Sequence, residues 1–212
     1  MAAHLAFSAA LCLGGEILDR VVATVGTVAI TASDVEREYR FERFLDGQWP
    51  APAPDAATLD RVRERLTYQV LLGHEDDPAA GDQPEAKKAA EERLGAIRKG
   101  FASDEDFREA LHAMGLTEAQ VIARMVEQDR MMRLIDQRLR PAASPSDDTV
   151  TDYYRQTFVP GYQKKNGGAA APPFPEVEGL IREILTQKRI NELLDQWIEE
   201  LKPTSRVRFH SF

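Results

Sequence analysis

The β-rich stretches of this chain stand at its two ends, and almost everything between them is patterned as helix. Near the start runs Val21-Val22-Ala23-Thr24-Val25-Gly26-Thr27-Val28-Ala29-Ile30-Thr31. It is apolar and β-branched on both sides of Gly26-Thr27, which is a hairpin signal. At the end runs Arg206-Val207-Arg208-Phe209. An isolated hairpin is marginal in water, so a third strand is wanted, and the tail is the other β-rich stretch on offer. The expected fold is therefore mainly α: a helical domain with a small antiparallel sheet made from the N-terminal hairpin and the C-terminal strand. The tail should pair with residues 21–30, and Trp197 should be buried where the last helix meets the helices of residues 34–72.

Capping and periodicity divide the middle. Ser33 and Glu36 have capping-box spacing and open a helix from about Asp34 to Leu45. Val35 and Tyr39 lie on one side of it, Phe41 and Phe44 on another. Residues 47–54 are a breaker-rich loop carrying Trp49. Leu59, Val62, Leu66, Val70 and Leu71 mark a second helix, about Ala56 to His74. An acidic loop from Glu75 to Pro84 leads to a third helix, Glu85 to Lys99. Ser103 with Asp106 caps a short fourth helix bearing Phe107, Leu111 and Met114. Thr117 with Gln120 caps the longest helix before the C-terminal one, Glu118 to Leu139. A short helix, residues 147–158, precedes a Gly-, Ala- and Pro-rich linker, and the last helix runs from about Pro175 until Pro203 stops it.

A chain of 212 residues is long enough for one domain with a real core. Its formal net charge of −8 and lack of basic runs argue against nucleic acid as a partner. Residues 1–15 contain no Lys, Arg, Asp or Glu, and Leu5, Ala6, Phe7, Ala9, Ala10, Leu11 and Leu13 form an apolar run of signal-peptide length. The run is too short to span a bilayer, so stable membrane insertion is not expected. Cys12, the one cysteine, falls inside it, so the mature chain would have neither disulfide nor thiol chemistry. The domain reading is a signal peptide, 1–15, then a single domain, 16–212. That domain comprises an N-terminal part, 16–158, a linker, 159–175, and a closing helix and strand, 176–212.

Little in the chain suggests catalysis. The histidines His4, His74, His112 and His210 are far apart, and His74-Glu75-Asp76-Asp77 lacks the second histidine of a zinc-binding helix. There is no Gly-rich phosphate loop and no nucleophile elbow. No catalytic residue, metal or cofactor is expected.

Ile17-Leu18-Asp19-Arg20-Val21-Val22-Ala23-Thr24-Val25, the turn, the second strand and Ser33-Asp34-Val35 resemble the mature N-terminus of the SurA family of periplasmic chaperones. The segment Ile184 to Leu201, followed by Arg206-Val207-Arg208, is similar to that family's last helix and strand. The helix Glu118 to Leu139 and the linker Arg140 to Ser146 fall where the family has its long N-domain helix and its step toward a parvulin isomerase domain. Here only residues 158–175 fill that place. So short a segment is too small for a core, since chains below roughly 40 residues seldom fold without staples. The resemblance thus implies a SurA-like module lacking the isomerase.

What the resemblance implies for function is an ATP-independent periplasmic holdase. Its partners would be unfolded outer-membrane or secreted polypeptides, held in an apolar groove between the N-terminal helices and the long helix. The candidate peptide-binding residues are Phe41, Phe44, Trp49, Phe101, Phe107 and Met114, because aromatic and flexible sulfur-bearing side chains suit promiscuous surfaces. Two alternatives stay open: a prolyl-isomerase family member with residual or no activity, and a scaffold for one dedicated partner. Exchange of the last helix between protomers, giving a domain-swapped homodimer, is also left open.

Overall fold

The computed structural model describes residues 19–75 and 84–212. The expected signal segment with His4 and Cys12, and the acidic loop from Asp76 to residue 83, lie outside the described residues.

Strands β1 (Val21–Val25) and β2 (Val28–Thr31) form the expected hairpin. Gly26 has φ +59° at the first central position of the two-residue turn, where a type II′ turn calls for glycine. A register irregularity between Val21 and Ala23 lets the consecutive residues Val22 and Ala23 both face inward, fully buried. The tail returns as β3 (Arg208–Phe209), antiparallel to β1, with Thr24 opposite Arg208 and Ala23 opposite Phe209. The sheet order is β2-β1-β3. Two further backbone bonds close it: Gly26 N–H to the Ser205 carbonyl at 2.8 Å, and His210 N–H to the Val22 carbonyl at 2.9 Å.

Helix α1 (Ala32–Leu45) starts two residues before the sequence reading. Its capping box uses Thr31 and Asp34 rather than Ser33 and Glu36. The last residue of β2 is itself the cap, so no loop separates strand from helix. Helix α2 (Ala56–Gly73) is capped by Asp55, and α3 (Pro84–Arg98) follows the acidic loop. Helix α4 (Asp104–Ala113), capped by Ser103, ends on Gly115 at φ +63°. There Gly115 N–H meets the His112 carbonyl and Leu116 N–H meets the Leu111 carbonyl, the paired bonds of a Schellman motif. Helix α5 (Glu118–Leu139) has the Thr117–Gln120 box read from the sequence.

The expected linker over 159–175 is only partly a linker. Helix α6 (Asp147–Tyr153) continues through a wider π turn, Tyr154–Phe158, into α7 (Val159–Lys165). Pro160 explains the widening: it has no N–H to give, and its ring would collide with the carbonyl four residues back. The chain responds by bonding Val159 N–H to the Tyr154 carbonyl, five residues back. Pro160 thus widens the helix instead of ending it. Helix α8 (Phe174–Thr204) then runs for 31 residues and includes Pro203 in its final turn.

Three apolar clusters result. The first joins the sheet to Val35 and Tyr39 of α1, Val62 and Leu71 of α2, Ile135 and Leu139 of α5, and Ile190, Trp197 and Ile198 of α8. Trp197 is 5% exposed in this cluster with Val62 and Leu71 of α2, and the Arg138 guanidinium of α5, outside the expected helices, lies 4.4 Å from its ring centroid. The second joins Phe41 and Phe44 of α1 to Leu94 of α3, Phe107 and Leu111 of α4, and Val121 and Met125 of α5. The third is small: Val150 of α6 against Val177 and Ile181 of α8. Among the described residues, no helix is long and apolar enough to cross a membrane.

Candidate functional site

Helix α1 carries two apolar faces, and each is used by a different cluster. Val35 and Tyr39 face the sheet side; Phe41 and Phe44 face α3, α4 and α5. Between these clusters a groove of about 540 Å³ remains open, within the range of ligand pockets. Its walls come from α1 (Phe41), α2 (Leu66, Val70) and the start of α5, with Leu116 beside them and Val28, Ala29 and Ile30 of β2 along one lip. A second concavity of about 850 Å³ lies between α3 and α5, lined by Ile122 and Val126, and shares Ala123 and Glu127 with the first.

The groove has a polar element that the sequence reading passed over. Glu38 is 6% exposed. Arg124 Nε donates to Glu38 Oε2 at 2.7 Å, and the same guanidinium also reaches Gln69 and Glu127. Burial opposes the charge on Arg124, yet bonding from Glu38 and the charges of Glu38 and Glu127 outweigh it, so its pKa lies above the ordinary value. Glu38 Oε1 is buried and has no hydrogen-bond partner. A buried acceptor left unmade costs roughly 1–3 kcal/mol. The signal was in the sequence: Val35, Glu38 and Phe41 are spaced by three, which puts an acid between the two apolar faces of the helix.

The six candidate aromatic and methionine residues separate into three groups. Phe44, Phe107 and Met114 are interior, at 0%, 0% and 1% exposure, because α3 and α4 fold over the second face of α1. The Met114 sulfur even accepts the Ala51 N–H at 3.3 Å. These three leave no surface for a ligand and act as core. Trp49 and Phe101 are half-buried and stack on each other at 4.4 Å, with Phe101 edge-on to Phe107 at 5.4 Å. They belong to the rim of the second cluster and do not line the groove. Phe41, 2% exposed, is the one that reaches the groove wall. Leu66 and Val70, four apart on α2 and part of its apolar stripe, are half-buried and line the groove.

Among the described residues, no three or more His, Cys, Asp or Glu side chains are grouped so as to hold a metal ion. No protein-family model matches the chain, and none of the curated proteins matches it.

Proposed function

We propose that this chain is an ATP-independent holdase of SurA-like type, without the isomerase domain, acting on unfolded polypeptides in the periplasm. The observation that carries the reading is the open groove between α1, α2 and α5, with Phe41, Leu66, Val70 and Leu116 on its walls. Apolar walls in an open trough let a module hold unfolded segments largely by burial, at about 25 cal/mol per Å² before association costs, with Asp34, Arg37, Glu38, Arg124 and Glu127 as its charged lining. The closure of first strand on last strand supports the same reading, since that was the expectation drawn from the two ends.

The test is light scattering from an unfolded outer-membrane protein diluted out of denaturant, with and without the full chain. Suppression without nucleotide, and with little dependence on salt, is the expected result. Val70→Lys should remove suppression while leaving the circular-dichroism spectrum unchanged, because Val70 is only half-buried. Undiminished aggregation at a several-fold excess of the chain would refute the holdase. A tetrapeptide isomerase assay on the same preparation separates the enzyme alternative.

A second reading, a scaffold for one dedicated partner, draws on a different surface. Leu180 and Ile184, four apart on α8, are 57% and 39% exposed. A single stoichiometric partner whose capture is lost in a Leu180→Ser, Ile184→Ser variant would favour it.

A further inference from the structure

The lip of the groove is an open sheet edge. In a two-residue hairpin the pair flanking the turn, here Val25 and Val28, is the hydrogen-bonded pair. The next pair, Thr24 and Ala29, is then the one whose backbone groups turn outward. On its side Thr24 meets Arg208 of β3. On the other side of the sheet β2 is the outer strand, and Ala29 is exposed. Its N–H and C=O therefore face the groove rim with no strand beside them. Glu38 of α1 lines the same groove, and its Oε1 is buried without a hydrogen-bond partner.

Resting on the holdase reading, we propose that an extended polypeptide segment adds to β2 at Ala29 as a fourth strand. One of its tyrosine or tryptophan side chains then enters the groove, and the Glu38 carboxylate, covered in the free protein, turns so that Oε1 accepts its O–H or N–H. The edge asks for an extended backbone, because only that supplies a donor and an acceptor at strand spacing. The floor asks for a donor, and the walls of Phe41, Leu66 and Val70 ask for an apolar body behind it. A neutral donor fits better than lysine or arginine, since Arg124 already balances the Glu38 charge and would repel a second cation. A second copy of this chain is the poorer occupant: the chain carries a formal charge of −8, and the groove wall has Asp34, Glu38 and Glu127 against Arg37 and Arg124.

The probe is a synthetic peptide of about ten residues alternating threonine and tyrosine, used with the full chain. Binding is read by fluorescence anisotropy and by exchange of the Ala29 amide hydrogen. Three results are expected. Saturating peptide slows Ala29 exchange at least about tenfold. N-methylation of the peptide amides in one alternating register weakens binding about tenfold, and in the other register does not. Phenylalanine in place of tyrosine weakens binding by about the same factor. Ala29→Pro, which deletes an outward N–H at a position where an edge strand tolerates proline, should match the N-methylated peptide. The peptide series stands by itself if that variant does not fold. Equal binding by both N-methylated registers, with Ala29 unprotected, overturns strand addition, while suppression of aggregation keeps the holdase. Equal binding of the tyrosine and phenylalanine peptides overturns the role of Glu38. Ala29 protection in the free protein that rises with its concentration assigns the edge to a second copy and overturns the proposal. If neither binding nor suppression is found, both readings fall.

Discussion

The two halves of α8 do opposite work. From Ile190 to Ile198 the helix lies in the main core, in contact with the sheet, α2 and α5. From Val177 to Ile184 it stands in a two-helix arm with α6 as its apolar neighbour. In the arm Val177 and Ile181 are buried, but Leu180 and Ile184 turn to solvent. One ion pair reaches from the arm to the body, Arg140 to Glu183 at 3.1 Å, while Arg182 works inside the arm, pairing with Asp147 of α6 and Glu178 of its own helix. Exposed pairs of this kind are weak. The same helix thus joins the main core at one end and a small separate cluster at the other, and the two ends should answer perturbation differently.

The largest effect is expected at the packed end. Trp197→Ala should lower unfolding stability by about 3–5 kcal/mol in a urea titration. Trp197→Phe should cost much less, because the indole N–H is buried without a partner and its loss removes a penalty. Next comes the tail. Truncation after Lys202 removes β3 and frees Arg63, which lies 5.2 Å from the Phe209 ring, 5.1 Å from the Phe212 ring, and bonds the His210 carbonyl at 2.9 Å. A loss of about 2–3 kcal/mol is expected. An unchanged melting temperature would mean the sheet closure contributes nothing.

Ile181→Ala should behave otherwise. A cavity at a fully buried isoleucine costs about 2–5 kcal/mol locally, but the arm should open by itself, so the global transition moves little. Hydrogen exchange should quicken over residues 147–184 and stay slow around Ile190. A global loss as large as that of Trp197→Ala would make arm and body one cooperative unit and end the comparison.

A small gain is expected at Arg206. It holds φ +51° at the end of α8, where Val207 N–H bonds the Lys202 carbonyl and Arg206 N–H bonds the Pro203 carbonyl. Glycine is the usual occupant of that position. Arg206→Gly relieves a left-handed cost of about 1–2 kcal/mol against an entropy cost of about 0.5–1, for a net gain of about 0.5–1.

The smallest effect is acid release of the arm. Hydrogen bonding and charge from Arg140 hold the Glu183 carboxyl below its ordinary 4.5. A depressed pKa means the folded state prefers the carboxylate, so this contribution is full above 4.5 and is lost as pH falls through the lower folded value. Arm amides should exchange faster as the solution is acidified through that window, before the core amides respond.

The sequence disclosed more of the frame than of the groove. Strand ends, the Thr117–Gln120 box and the burial of Trp197 follow from local chemistry and could be read. The two faces of α1 were visible too, but not their fates. Periodicity says that Phe41 and Phe44 share a side; only the return of α3 and α4, a long-range event, decides that this side is interior. Glu38 was legible as an acid between the two apolar faces of α1. That one of its oxygens is paired and the other left without a donor depends on where Arg124 of α5 arrives, 86 positions later. The Gly-, Ala- and Pro-rich composition of residues 159–175 reads as a linker; that Pro160 follows a widened helical turn is decided by the chain around it.

The pairing of β1 with β3 also sets a clock. Thr24 cannot meet Arg208 until the ribosome has passed Arg208. At typical synthesis rates of about 5–20 residues per second, the first hairpin waits on the order of 10–40 s for its third strand. Through that interval the buried faces of Val22, Ala23 and Val25 have no Trp197 or Ile198 to cover them. The nascent chain therefore carries these apolar faces uncovered until its own C-terminal helix arrives.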